Sequence, residues 1–422
     1  MSFLSKLLGK LPAKPSRDEF AQLVLKQTGG VIHGQPATYD AEGFRLTTEN
    51  QGFTNLHNLH EDYLRAPSQT EREAVLKRTA ALTQAPPDAP LQWEQVKAKL
   101  VVRPWATVYA ELLSLGRELG IAEKETGEQE QKLLARPAGE GLLAAVVIEE
   151  EHGFRNLTLA DAESLGGSDR LWRQARDNVY AKSNVEPQEI EPGTYLATYG
   201  DFNDASRLFL PDLFNDLKIN GDLVAVAPDS NSLLLTGSGD DRGLALLIGA
   251  ARQDPEHRPL LQHLVRLQDG KLEPFELPAD HELSFALAEA RALDLVELRN
   301  SVAELMSQML HDAGKDWAIS PLQVFGAQDV PRLTDLVVWP AKESAEMMVL
   351  MQAEIVALPV GEDVLVARWD KLMDHLKTTV GDRLHFGGEH VRWLRTDYEL
   401  TPDDMETAGA VDQKEAGQLL AG

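Results

Sequence analysis

The sequence predicts an α+β protein, with mixed short sheets and helices packed against them. Three observations carry that prediction. Stretches of helical periodicity alternate irregularly with two-stranded units such as "ATYDAEGFRLTTEN" and "GLLAAVVIEEEHGFRN". No strand leads into the G-x-G-x-x-G or Walker loop of a nucleotide-binding parallel sheet. The 422 residues are 43% hydrophobic, which supports two or three cores at roughly 100–200 residues per domain. We expect domains over 1–135, 136–290 and 291–400, and a loose acidic tail over 401–422.

The elements follow in order. In "MSFLSKLLGKLPAK", Phe3, Leu4, Leu7, Leu8 and Leu11 keep helical spacing while Lys6 and Lys10 lie off that face. Such a helix packs its leucines on a core, docks on a partner or lies on an anionic membrane; Pro12 and Pro15 end it. "SRDEFAQLVLKQTGG" is a helix opened by the capping box Ser16/Glu19 and stopped by Gly29-Gly30. A hairpin turns at Ala41-Glu42-Gly43, and two helices follow, "TNLHNLHEDYLRA" and "QTEREAVLKRTAALTQ". "LVVRPW" has strand character, and 123–132 is polar and exposed. Leu142–Ile148 and Phe154–Leu157 form a second hairpin, after which Thr158 or Asp161 opens a helix. "TYLATYGD", "GDLVAVAP" and "SLLLTGSG" are strands, "ASRLFLPDLFNDL" and "RGLALLIGAARQ" helices. Residues 282–310 hold one or two long helices. "DLVVWPA", "GEDVLVARW" and "VRWLRTDYEL" are strands, "DKLMDHLKTTVGDRL" is a helix, and "SAEMMVLMQAEI" is a helix or a helix passing into a strand. Segments 206–237 and 345–376 share an order of apolar helix, Gly-acid, alternating strand and Asp, so the second half holds either two related α/β units or a chance likeness.

Sixty-seven acids face 41 bases, for a net charge of −26. That field repels nucleic acid, whose affinity rests on basic groups at phosphates, and favours basic or neutral partners. With no cysteine, disulfides and thiolate chemistry are excluded. No window approaches roughly 18 unbroken apolar residues, so a cytoplasmic protein is expected.

Seven pieces occur in fixed order: "DEFAQLVL", "YDAEGFRL", "NLHNLHEDYL", "VVRPW", the 146–179 block ending "QARDNV", "GDFNDASRLFLPDL" and "AVAPDSNSLLLTG". In that order, over residues 18–250, the chain resembles the YtpQ-like family of bacterial proteins of unknown function. The resemblance implies an intracellular bacterial protein and no particular activity. Where that family commonly reads Pro-Ser-Arg-Asp, this chain reads Pro228-Asp229-Ser230-Asn231, without the arginine.

The densest polar motif is "GDFNDASRLFLPDLF". Asp201 and Asp204, assisted by Asn203 and Ser206 and completed by Asp240 or Asp241, could ligate a hard cation and activate water. The competing account makes Asp204 or Asn203 a helix cap, with Arg207 paired to an acid and Leu208, Phe209, Leu213 and Phe214 inward. His57 and His60, followed by Glu61, share a helix face but lack a third zinc ligand. "HFGGEH" spaces His385, Glu389 and His390 one residue too far for an inverted zinc motif, and Gly387-Gly388 break the helix it needs; a turn between helix and strand is expected. Glu149, Glu150, Glu151 and His152 read as a solvated hairpin tip, and Trp172, Trp339, Trp369 and Trp393 as core or interface anchors. No chemically complete catalytic set emerges and no cofactor is expected. The expectation is a non-enzymatic binding or regulatory module whose partner is another protein, with a metal-dependent hydrolase and a membrane adaptor as alternatives.

Overall fold

A computed structural model describes residues 14–415, apart from 33, 42, 49–52, 67, 83–90, 108–132, 151–152, 202, 254–259, 269–270, 327–332, 341–345 and 389–390. The amphipathic segment 2–11 and the polar stretch 123–132 lie outside the described residues. The chain divides into two compact units, 1–99 with 148–155, and 100–147 with 156–422. The first boundary therefore falls inside the 1–135 segment expected as one domain.

In the first unit, Ser16 and Glu19 form both halves of the capping box of α1 (Arg17–Thr28), and Gly29 ends it at φ 68°. An antiparallel meander follows, of β1 (Val31–Ile32), β2 (Gln35–Asp40), β3 (Arg45–Thr48) and β4 (Phe53–Asn55). With α2 (His57–Arg65) and α3 (Gln69–Leu82) it closes over Phe20, Val24, Ile32, Phe44, Leu46, Leu56 and Tyr63. Periodicity places these apolar side chains inward, and their removal from water drives the packing.

The second unit begins with β5 (Leu100–Ala106), β6 (Ala135–Gly139) and β7 (Leu142–Glu150), in order β5-β7-β6; the last three residues of β7 and most of β8 (Gly153–Asn156), which returns along them, are counted with the first unit. Thr158 and Asp161 form the capping box of α4 (Leu159–Ser164), and α5 (Ser168–Ala181) follows. Next comes an antiparallel sheet ordered β14-β13-β11-β12-β10-β9, built from β9 (Gln188–Glu191), β10 (Thr194–Ala197), β11 (Leu223–Ala227), β12 (Leu233–Gly237), β13 (Leu261–Gln268) and β14 (Lys271–Pro274). Strand alternation sorts its side chains. Tyr195, Ala225, Leu235 and Val265 join one core, while Val224, Val226 and Leu264 join another with α6 (Asp241–Ala251) and the start of α7 (Ser284–Asp312).

Helix α7 has 29 residues, about 43 Å at 1.5 Å per residue, and it crosses the boundary expected at 290. Leu287 and Ala290 pack on the six-stranded sheet, whereas Val302, Ala303, Met306 and Leu310 pack into the C-terminal core. That core lies between two mixed sheets. One is ordered β15-β18-β22-β21, from β15 (Trp317–Ser320), β18 (Met347–Met351), β21 (His385–Gly387) and β22 (Trp393–Thr396). The other is ordered β16-β17-β19-β20-β23, from β16 (Leu322–Gly326), β17 (Leu333–Val338), β19 (Ile355–Val360), β20 (Asp363–Arg368) and β23 (Val411–Asp412). Helices α8 (Trp369–Thr379) and α9 (Pro402–Thr407) complete it. Among the described residues no helix is long and apolar enough to cross a membrane.

The α+β class holds, but three local expectations are corrected. "ASRLFLPDLFNDL" is two 3-10 turns, Asp204–Phe209 and Pro211–Phe214, because Leu210 at φ −130° leaves the helical region and Pro211 has no N–H to donate. Met347–Met351 is strand β18, buried on both sides, where a continuous apolar run carries no period to tell strand from helix. The described part of the tail is structured and not loose: Thr401 caps α9 and β23 pairs with β20. These differences also separate the two proposed α/β repeats. Strand β11 leads into strand β12, whereas its counterpart β20 leads into helix α8.

Candidate functional site

Strand β10 delivers the chain to the polar motif, and Gly200, at φ 69°, turns it. Arg207 is the centre and is fully buried. Its Nη1 and Nη2 donate to the two oxygens of Asp201, at 2.8 and 2.9 Å. Nη1 also donates to the Asn203 carbonyl at 2.9 Å, and Nε to Ser183 Oγ at 2.9 Å. The guanidinium carbon stands 4.1 Å from the centroid of the Tyr199 ring. A planar fork of donors matched to a carboxylate is the geometry in which arginine can be buried at all. Asp201 further accepts the Asn203 N–H at 3.1 Å, closing an Asx turn.

Asp204 Oδ1 accepts the Tyr199 N–H at 2.7 Å. Burial pushes its carboxyl above the usual carboxylate range; the Tyr199 N–H and Arg207 act against that rise, and the Asp201 charge adds to it. Burial likewise raises the Tyr199 hydroxyl. The neighbouring loop joins through its backbone, as Ala205 N–H donates to the Ser230 carbonyl at 3.1 Å, and Asp229 Oδ1 accepts Asn231 N–H at 2.8 Å. Within this network the buried Asn203 Oδ1 and Ser206 Oγ have no hydrogen-bond partner.

Asp240 stands elsewhere. It caps α6, accepting Gly243 N–H at 3.1 Å, and sits beside Gly193, at the opposite end of β10 from Asp201. The strand between them is roughly 13 Å long at about 3.3 Å per residue. A side chain at Gly243 would meet Thr236 Oγ1 at 2.1 Å, so the cap closes only on glycine. Asp241 faces His281, 3.2 Å away. The cation site expected from Asp201, Asp204 and Asp240 is thus not assembled: Asp201 is held by Arg207, Asp204 by backbone, and Asp240 by a helix end. Among the described residues no group of three or more His, Asp or Glu gathers as a metal-binding set would.

His60 turns its Nε2 toward the Pro15 carbonyl at 3.1 Å and its ring toward Phe20 and Phe44, so it edges the first unit's core. His385 is in β21, and the Gly387-Gly388 turn joins β21 to β22, two strands and not a helix and a strand. Glu389 and His390 lie outside the described residues.

Two histidine–aspartate pairs escaped the sequence reading. His263, buried on β13, stands with Nδ1 2.5 Å from Asp294 of α7. His375 Nε2 stands 2.9 Å from Asp404. Asp404 also accepts from Tyr398 Oη at 2.8 Å, Thr401 Oγ1 at 2.6 Å and Thr401 N–H at 3.1 Å. Burial pushes its carboxyl up, but the bonds from Thr401, His375 and Tyr398 prevail and hold it below the usual range. Burial and Asp404 together push Tyr398 up to about 12. "TPDD", a threonine three residues before an aspartate, is the sequence signal for this second site.

A cavity of about 670 Å³ opens at the edge of the first C-terminal sheet, lined by Leu384–Gly388, Trp393 and Arg395. It falls on the very motif, "HFGGEH", that the zinc spacing singled out. Strand β21 is the last in its sheet, and Phe386 on it is 50% exposed.

No family model, curated protein or solved structure matches this chain.

Proposed function

We propose that the chain is a non-enzymatic binding or regulatory module of the bacterial cytoplasm that acts through another protein, in keeping with its YtpQ-like order of motifs. One contrast carries the reading. The groups most suited to chemistry, Asp201, Asp204 and Arg207, are consumed by one another and by backbone. The end of the C-terminal sheet, by contrast, presents an edge strand, an exposed phenylalanine and an open cavity. An edge strand offers backbone donors and acceptors in a row, and an added strand from a partner is one way such a row is covered.

Incorporation of a photo-crosslinking amino acid at Phe386 tests the proposal in the source cell, with Tyr180, 56% exposed on α5, as the control position. One polypeptide is expected, recovered reproducibly at 386 and absent at 180. Equal labelling at both positions, or none at 386, overturns it.

A further inference from the structure

Two of the residues that line the cavity at the β21 edge each carry a buried N–H with no hydrogen-bond partner. Trp393 is 3% exposed, lines the cavity, and its Nε1 has no hydrogen-bond partner. Arg395, two residues on and on the same face of β22, also lines it, and its buried Nε has none either. A buried N–H without an acceptor is uncommon, because burial strips its water and nothing replaces the lost bond. Two that share one cavity point to an acceptor from outside the chain.

Two further features fit. Among the described residues Arg395 has no carboxylate partner; its guanidinium instead stands 5.3 Å from the Trp317 ring, which Lys315 Nζ also faces at 4.8 Å. The segment 376–395 is itself locally basic, with four lysines and arginines against two acids, and two histidines besides. Gly387 is the cross-strand neighbour of Trp393. A Cβ placed there would lie 2.2 Å from Trp393 Cζ2 and 2.6 Å from Cε2, the ring atoms beside Nε1. The glycine that rules out a helical zinc motif is the one that lets β21 approach this edge of the ring so closely.

We infer that the cavity bounded by Gly387, Trp393 and Arg395 is an oxyanion site, taking a carboxylate or phosphate on the Trp393 indole N–H and the Arg395 guanidinium. Charge-assisted bonds to arginine with a second fixed donor are the general means of holding such a group. The inference rests on the binding-module reading only for the source of the oxyanion, a partner's carboxylate or a free anion; the site itself stands on the unpaired donors.

The test is a titration of the full chain labelled with 15N-tryptophan, whose seven indole N–H signals are resolved by NMR, with Trp393→Phe identifying the relevant one. Acetate and inorganic phosphate are added at constant ionic strength. The Trp393 signal is expected to move saturably, with a midpoint on the order of 1 mM for a lone anion, while the other six stay in place. Arg395→Gln should weaken binding at least about tenfold, equivalent to roughly 1.4 kcal/mol. Should that variant fail to keep the other indole signals, Arg395→Lys, which retains charge but not Nε–H, serves in its place. A short peptide with a free C-terminal carboxylate, compared with its amide, separates the sources. Free acid that binds tighter than both its amide and acetate assigns the site to a protein partner, and free acid that binds no tighter than acetate assigns it to a free anion. A Trp393 signal that never saturates, or that moves only together with all the others, overturns the site. Such a result leaves the crosslinking test untouched, and failed crosslinking at Phe386 leaves this titration untouched.

Discussion

Asp204 and Asp404 are both buried aspartates in the opening turn of a short helical element, and their carboxyl groups move in opposite directions. Burial raises both. Asp404 then meets two hydroxyls, a histidine and a backbone N–H, all able to donate to the charged form. Asp204 meets backbone donors only, and it shares its turn with the anion of Asp201, whose arginine is already engaged. Burial alone therefore does not set the sign; the donors that face the carboxylate do. The comparison also separates two designs. The 199–207 turn is organised around a cation, and the 398–404 turn around an anion.

The largest break in the comparison is removal of the cation. Arg207→Met keeps much of the volume but leaves Asp201 without its partner. Breaking a buried ion pair costs about 3–5 kcal/mol, and the Asp201 side chain, 20% exposed, places the expected loss near the lower end. Denaturant unfolding measures it. Adding Asp201→Asn should return part of the loss, since the orphaned charge is gone. If Arg207→Met alone unfolds within about 0.5 kcal/mol of wild type, the turn is not organised by Arg207.

The corresponding break in the other region is Asp404→Asn. It keeps the shape but removes the charge and one acceptor, and hydrogen bonds to charged groups contribute about 1.5–3 kcal/mol each, so a loss of about 2 kcal/mol is expected. The same variant should bring Tyr398 down from about 12 toward 10, read as tyrosinate absorbance in an alkaline titration. The sign for Asp404 itself follows from its lowered position. Its contribution is present above the ordinary carboxyl range and is lost as pH falls through the still lower folded value. Wild type should therefore lose stability below about pH 4 more steeply than Asp404→Asn.

Asp204→Asn should behave oppositely. Its raised carboxyl means that the folded state holds the proton more tightly than the unfolded chain does. The contribution is thus greatest at low pH and falls as pH climbs through the ordinary carboxyl range to the folded value. Asparagine keeps the acceptor for Tyr199 N–H and carries no charge, so Tm of the variant relative to wild type should rise with pH across that window. A difference that falls with pH instead would mean that the Tyr199 N–H and Arg207 outweigh burial and the Asp201 charge.

How much of this was readable in the sequence differs between the two regions for a physical reason. The 200–214 motif is dense in polar residues, yet its character is set by the Arg207–Asp201 pairing, and Arg207 also donates to Ser183, just beyond the preceding helix. Capping boxes were legible where both partners sit three residues apart, as at Ser16/Glu19 and Thr158/Asp161. The box at Thr401/Asp404 has the same signature, but the acidic, aromatic-poor composition from 402 onward masked it. Composition reports average solvation, whereas a cap is a local geometry. Donors brought from elsewhere, such as His375, 29 residues before Asp404, leave no local trace. Nor do the unpaired Trp393 and Arg395, whose meaning depends on what is missing beside them.

Asp240 sharpens the comparison as a third case. It accepts one backbone N–H, from Gly243, and one longer bond at 3.4 Å from Thr236 Oγ1, and it stands at the start of an 11-residue helix whose dipole favours its charge. It therefore has fewer donors than Asp404, and the like-charged Asp241 beside it is turned to His281. Asp240→Ala should cost about 1 kcal/mol, the ordinary worth of an N-cap, and Asp240→Ser, which keeps a cap acceptor, clearly less. Chemical unfolding of the two variants side by side checks both values. A loss as large as that of Asp404→Asn would mean that capping geometry, and not the set of donors, governs all three aspartates. A loss near 1 kcal/mol places Asp240 between them and ties each carboxylate's contribution to the groups that face it.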